Sequence, residues 1–428
     1  EFHCDGSNVQ VRSSEGMAHE QKTLKYYDNV TVSLESITRY ADGIKDILSS
    51  ASREGAADNH ALNRLQQLGQ LLYDELFPAR TKENLNRTES RSLILGIDDQ
   101  LVAIPWELIF DGREFLCQRF SMGRVVSTRQ EIIGSQRQCG MPLKALLMAD
   151  PQGNLPSAYS EGMKLRDLFD EHEDMIEASL ASSNIAREYF RQHLRQYDLL
   201  HYAGHAFYNQ EDPAKSGFLL SDGCLTAADI IALAGRKPFP SLVFSNACGS
   251  GQTEEWQIRE GYQNVFGLAN AFLKSGVRHY LGTFWDIQDE PGQLFAVTFY
   301  ERLLEGQPIG EAIRQARREL IAKFGPENII WTSYMLYGDP TTVYCRQEVQ
   351  KPEQPAAIPP PVPEKTTKSA LRGPSERAAK SSTFKFILPA VIVAGLLRKP
   401  ARPPITSSRT CRPPRKNGPS GLTPWLTN

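Results

Sequence analysis

From Leu143 onward the chain alternates short apolar runs with longer stretches of helical period, and this alternation restricts the fold more than any other feature. Leu143 to Met148 is an apolar run that stops at Asp150-Pro151, and Ser157 to Glu171 has helical spacing. Met175 to Leu180 is a second short run and Asn184 to Arg195 a second helix. Tyr197 to Tyr202 follows with Asp198 as its one charge, then a hairpin over Gly217 to Leu225 and a helix at Ala227 to Leu233. Ser241 to Phe244 is the next apolar run. A helix over Gly261 to Lys274 sets Tyr262, Val265, Phe266, Ala269 and Phe272 on one face. A strand at His279 to Phe284, helices at Gly292 to Leu304 and Gly310 to Lys323, and a last strand complete the series. Runs that are apolar without alternation belong to strands covered on both faces. Strands separated by helices pair in parallel through right-handed crossovers. The expected fold class is α/β: a mostly parallel sheet with helices on both faces, preceded by a smaller N-terminal helical and strand region.

The chain has 428 residues, enough for two or three domains at the usual ~100–200 each. Residues 1–22 are polar and irregular and read as disordered or as the end of a fragment. Residues 23–92 carry two helical patterns: Leu34, Ile37, Tyr40, Ile44 and Ile47, then Leu65, Leu68, Leu71, Leu72 and Leu76 up to Pro78. Residues 93–345 form the α/β domain, opened by strands at Ser92 to Ile97 and Phe115 to Arg124. Residues 346–383 are rich in Pro and charge and read as an extended linker. Residues 384–428 hold a 12-residue apolar run, Phe386 to Leu397, and a basic Pro-rich tail. The run is shorter than the ~17–25 residues that cross a bilayer, so membrane contact through 386–397 is an open expectation. From Arg398 on there are seven Lys or Arg and no Asp or Glu, yet the whole chain carries only −2, which gives no reason to expect nucleic acid. Seven cysteines without Cys-x-x-Cys or metal spacing, and no leader-like start, fit a reducing cytoplasmic setting. No cofactor or metal is implied: there is no phosphate-binding glycine loop and no ligand cluster.

Two residues carry the chemistry. His205 ends the run His201-Tyr202-Ala203-Gly204-His205, and Cys248 follows Ser245-Asn246-Ala247 and precedes Gly249-Ser250-Gly251. Each sits where a buried strand stops, and open α/β sheets bind ligands beyond the carboxyl ends of their strands. A histidine there can take the thiol proton, and the thiolate attacks a carbonyl carbon. The glycines let backbone N–H groups approach an oxyanion. His201 lies inside the strand and reads as structural, and Asp198 lies toward the other side of the sheet edge.

These motifs resemble those of the CHAT domain, a branch of the caspase-like (clan CD) cysteine peptidases. Further stretches resemble the family in order: Ile104-Pro105-Trp106-Glu107-Leu108, Leu219-Leu220-Ser221-Asp222-Gly223 with Leu225-Thr226, Gly282-Thr283-Phe284-Trp285-Asp286 with Asp289, and Trp331 with Leu336-Tyr337-Gly338-Asp339-Pro340. The resemblance implies a cysteine endopeptidase with a His205–Cys248 dyad and backbone N–H groups of Ala206 and Cys248 as oxyanion donors. The family commonly has Gly after the base, and this chain has Ala206. The resemblance also implies a substrate-binding place for Asn246, where an acidic residue would imply basic specificity and Asn is neutral. Trp285, Asp286 and Asp289 either line the substrate pocket or, for the two acids, cap the helix near Pro291. Trp106 and Glu107 brace the fold, with Glu107 expected to meet an interior Arg. The resemblance implies a regulated bacterial signalling or defence effector, with a protein or peptide substrate and a regulatory protein partner. The rivals are a non-catalytic scaffold of the same fold and a membrane-tethered adaptor.

Overall fold

A computed structural model describes residues 1–5, 8–14, 28–54, 59–128, 131–207, 209, 212–235, 237–247, 267–283 and 289–345. The chain divides into two units, 1–353 and 354–428, and the described residues all belong to the first. The expected linker at 346–383 and the tail at 384–428, with its apolar run, lie outside the described residues. Among the described residues no helix is long and apolar enough to cross a membrane.

The N-terminal region contributes strands β1 (Phe2–Asp5), β2 (Asn8–Val11) and β3 (Asp28–Thr31), then helices α1 (Leu34–Glu54), α2 (Asn59–Leu76) and α3 (Ala79–Arg87). This corrects the expectation of disorder over 1–22 for its first half. Phe2, Val9 and Val11 are buried, and the Phe2 ring packs on Phe77 at 5.4 Å and Trp106 at 4.6 Å. Three apolar side chains in two short paired strands are enough to fix the segment, because β1 also pairs with the next strand of the sheet. That strand, β4 (Ser92–Asp98), leads through the Trp106 turn to a helical turn α4 (Leu116–Arg119) and β5 (Ser121–Ser127). The single strand expected over Phe115 to Arg124 is thus a turn of helix followed by a strand.

The second part runs β6 (Leu143–Ala149), α5 (Pro156–Asp170), β7 (Ile176–Ala181), α6 (Arg187–His193), β8 (Leu199–Ala203) and β9 (Ala206–Phe207). It continues with β10 (Gly217–Leu220), β11 (Gly223–Thr226), α7 (Ala227–Leu233), β12 (Leu242–Asn246), α8 (Leu268–Lys274) and β13 (His279–Thr283). It closes with α9 (Asp289–Leu304), α10 (Ile309–Phe324) and β14 (Tyr334–Tyr337).

Among the described residues eleven strands form one sheet in the order β3-β2-β1-β4-β5-β14-β13-β12-β8-β6-β7, and β9, β10 and β11 form a small second sheet. Seven of the ten pairs in the large sheet are parallel, as the alternation of strand and helix demands. The five strands β7-β6-β8-β12-β13 have the doubly wound order 2-1-3-4-5, whose winding reverses between β6 and β8. Successive side chains of a strand face opposite ways. His201 and Phe244 meet Tyr300, Phe295 and Phe299 of α9, whereas Tyr202 stacks on Phe218, which meets Phe272 of α8. Helices therefore cover both faces.

Two buried polar groups fasten the sheet. Glu107 receives a two-pronged ion pair from Arg124 of β5, one arm at 2.9 Å, and Arg124 also donates to Val102 O at 3.0 Å. Glu107 thus meets the interior Arg expected of it. His279, at the start of β13, must donate from Nε2 because its partner there is the carbonyl of Asp339 (3.0 Å), so Nδ1 accepts from the Tyr344 hydroxyl (2.7 Å). Burial favours this neutral form and pushes the His279 pKa down to about 4.

Glu107→Ala strands a buried guanidinium and is expected to cost ~3–5 kcal/mol in urea unfolding of the full chain. His279 gives a second expectation. Its folded pKa lies below the ordinary value of 6.5, so the unfolded chain takes up the proton first. Its contribution to stability is complete above pH 6.5 and is lost as the pH falls toward about 4. The loss amounts to ~3 kcal/mol, and His279→Gln should remove that part of the pH slope.

Candidate functional site

In a doubly wound sheet the binding crevice lies outside the carboxyl ends of the strands where the winding reverses. Here that edge is formed by the ends of β6 and β8, with β12 and β13 next in line. His205 leaves the end of β8. Its carbonyl accepts from the Tyr202 hydroxyl at 2.6 Å and from the Leu219 N–H at 2.9 Å, so the backbone that carries the imidazole is held on two sides. The same Tyr202 hydroxyl lies 3.1 Å from Leu219 O, and its ring stacks on Phe218 at 3.8 Å. Burial raises the Tyr202 pKa well above 10, so the hydroxyl keeps its proton and stays a donor. Gly204 is required for this arrangement. A Cβ there would sit 2.9 Å from the Tyr202 hydroxyl and 3.0 Å from Pro151 Cδ.

Ala206 opens β9 and lies opposite Phe218 of β10. The ladder bond runs from Leu219 N–H to His205 O, one residue to the side of that pair. Ala206 and Phe218 are therefore a non-hydrogen-bonded pair, and the N–H of Ala206 points away from β10. An Ala at this position leaves a backbone donor unspent by the hairpin.

On β12 the register sets Phe244 opposite His201 and Asn246 opposite Ala203. Residue 246 shares the parity of Phe244 and so faces α9 and α5. The structure turns the Asn246 amide inward. Asn246 Nδ2 donates to both carboxylate oxygens of Glu161 (2.8 and 2.9 Å) and lies 3.3 Å from Gly292 O, while Oδ1 accepts from the Tyr334 hydroxyl at 3.1 Å. His201 Nε2 meets the same Glu161 carboxylate at 2.8 Å, which gives the strand histidine the structural place expected of it. Thr283, the last residue of β13, donates its hydroxyl to the carbonyl of Ala247. The backbone is thus tied down at the residue immediately before Cys248.

Cys248, Trp285 and Asp286 lie outside the described residues. Asp289 is the first residue of α9. Asp198 stands at the amino end of β8, bonded to Arg137 and to the Lys144 N–H, away from the His205 edge as expected. Sequence reasoning missed Glu161, Tyr202, Thr283 and Tyr334. One signal for Glu161 was available: Gly162 follows it inside a helix, where glycine costs ~1 kcal/mol and so implies a packing reason. A Cβ at 162 would lie 2.4 Å from Ala149 Cβ, so glycine lets α5 approach β6 closely enough for Glu161 to reach beneath the strand ends.

The fold and this edge define a doubly wound α/β domain with a histidine presented at its binding rim. The model of the CHAT domain family matches residues 66–339, more than half of the chain, and the chain belongs to that family. The match reaches back into α2, whose Gly69 would place a Cβ 2.3 Å from Leu108 O. Over 311 residues the chain is 22% identical to tetratricopeptide repeat protein 28 of Homo sapiens, an alignment that takes in 58% of this chain and 12% of that protein. The chain thus spans about an eighth of that relative's length. Among solved structures it is similar to the Arg-specific cysteine proteinase gingipain R, with 14% identity, 72% of this chain and 76% of that one covered, and a TM-score of 0.46. It is also similar to a chain of the Saccharomyces cerevisiae separase–securin complex, with 14% identity, 71% and 22% covered, and a TM-score of 0.37.

Tyr202→Phe removes the hydroxyl that holds the His205 carbonyl and leaves the Leu219 carbonyl without it. The expected loss is ~1–2 kcal/mol of stability in urea unfolding, with faster exchange of the Leu219 amide proton.

Proposed function

We propose that this chain is a cysteine endopeptidase in which Cys248 is the nucleophile and His205 the base. The observation that supports it most is the register of β8 against β12. Asn246 pairs with Ala203, and each candidate follows its paired residue by two positions, on neighbouring parallel strands that end at the same rim. The Ala247 carbonyl, fixed by Thr283, and the His205 carbonyl, fixed by Tyr202 and Leu219, hold the two approaches. In the reaction His205 takes the Cys248 proton and the thiolate adds to the peptide carbonyl carbon. The oxyanion is held by the N–H groups of Ala206 and Cys248, and the amine leaves with the proton from His205. Water, activated by the same imidazole, then cleaves the thioester. Trp285, Asp286 and Asp289 follow β13, the neighbour of β12, and would line the pocket for the residue before the scissile bond. The match to a stretch of a protein named for tetratricopeptide repeats supports control by a regulatory protein partner of that repeat type.

The test is cleavage of a peptide library by the full chain, with circular dichroism of each variant. Cys248→Ala should abolish cleavage with an unchanged spectrum, and His205→Ala should lower the rate by at least ~100-fold. A folded Cys248→Ala variant that still cleaves would overturn the assignment.

A further inference from the structure

Glu161 is buried, and its hydrogen-bond partners are His201 and Asn246, with no Lys or Arg among them. Burying a carboxylate costs several kcal/mol, and apolar side chains of similar volume would hold the same helices and strands at least as well. Stability therefore does not explain why a carboxylate stands there. Geometry does. Asn246 lies two residues before Cys248 and His201 four before His205, and one carboxylate oxygen accepts from both at 2.8 Å. The surrounding groups continue the ties. Tyr334 of β14 fixes the other end of the Asn246 amide, Gly292 O of α9 flanks its nitrogen, and Tyr300 of α9 reaches His201 Nδ1 at 3.4 Å. Burial and then the charge of Glu161 raise the Tyr300 pKa well above 10, so its hydroxyl keeps its proton and can donate to Nδ1 or accept from it. His201 Nε2 donates to Glu161, because a carboxylate can only accept, and every polar atom of the chain Tyr300–His201–Glu161–Asn246–Tyr334 has a role consistent with its neighbours.

We propose that Glu161 is a positioning residue for the Cys248–His205 chemistry: its buried carboxylate locks the ends of β8 and β12 in a single relative setting. The inference rests on the cysteine-peptidase reading above. A thiol beside an imidazolium is held as thiolate, and that pairing depends on the setting of the two strand ends. Glu161→Gln keeps the shape but puts an amide NH2 against the Asn246 NH2 or the His201 N–H. Glu161→Gln with Asn246→Asp restores a donor–acceptor pair across the same gap.

The experiment is the rate of Cys248 alkylation by iodoacetamide as a function of pH, read by mass spectrometry of the Cys248 peptide, with urea unfolding of each variant. In the wild-type full chain the thiol should react at a depressed pKa that His205→Ala abolishes. Glu161→Gln should slow alkylation at pH 7 by up to about 30-fold and move the profile upward, since an ordinary thiol of pKa ~8.5 is only ~3% thiolate at that pH. The double variant should recover about tenfold of it, as expected for directly coupled residues. A folded Glu161→Gln variant with the wild-type rate and profile overturns the positioning role and leaves the peptidase reading intact. A wild-type Cys248 that reacts as an ordinary thiol, indifferent to His205→Ala, overturns that reading and this inference with it. If Glu161→Gln does not fold, Asn246→Ser cuts the same tie from the β12 side, and the same two outcomes apply.

Discussion

The eleven-stranded sheet depends on one short strand. β14 is four residues long, pairs antiparallel with β13 over Tyr334 to Tyr337, and meets β5 through the single pair Tyr337–Arg124. The Gly338 N–H donates to Arg124 O at 2.8 Å and reinforces that contact. On one side of β14 stand β5, β4 and β1, parallel to it and to one another; on the other side stand five parallel strands running the opposite way. β14 therefore both closes the gap and reverses the direction. Arg124 takes part in the join with its backbone while its side chain is committed to Glu107, so the ion pair in the N-terminal half and the seam of the sheet share one residue. Tyr334 of the same strand holds Asn246. A displacement of the N-terminal half has a covalent and hydrogen-bonded route to the end of β12.

Two of the buried carboxylates, Glu107 and Glu161, are satisfied in different ways. Glu107 is neutralised by a guanidinium, which fixes charge as well as direction. Glu161 is met by an imidazole and an amide, which fix direction. The first arrangement resists removal of either partner. The second is sensitive to the orientation of every member, because each group has one donor–acceptor pattern that fits.

The α/β class, the strand–helix series from Leu143 and the strand ends before His205 and Cys248 were legible in the sequence, while Gly261 to Phe266 of the helix expected over Gly261 to Lys274 lie outside the described residues. Uninterrupted apolar runs and helical spacing are local properties, and they survive into the fold unchanged. The strands at Phe2–Asp5 and Asn8–Val11 were not legible, since each carries one or two apolar residues and gains its order from Phe77, Trp106 and β4. The orientation of Asn246 was not legible for a related reason. Its position in the chain was read correctly, but its direction follows from strand parity and from Glu161, 85 residues away. Glu161 itself looks like any surface carboxylate of a helix until Gly162 brings α5 down onto the sheet.

The reversal at β14 has a further consequence for how ligands can share this domain. His279, at the amino end of β13, touches Asp339 just past the carboxyl end of β14, so the strand ends of the N-terminal half open on the rim opposite His205. The carboxyl ends of β4 and β5, at Asp98 and Ser127, belong to that far rim. A molecule seated there leaves the mouth of the His205 crevice unobstructed.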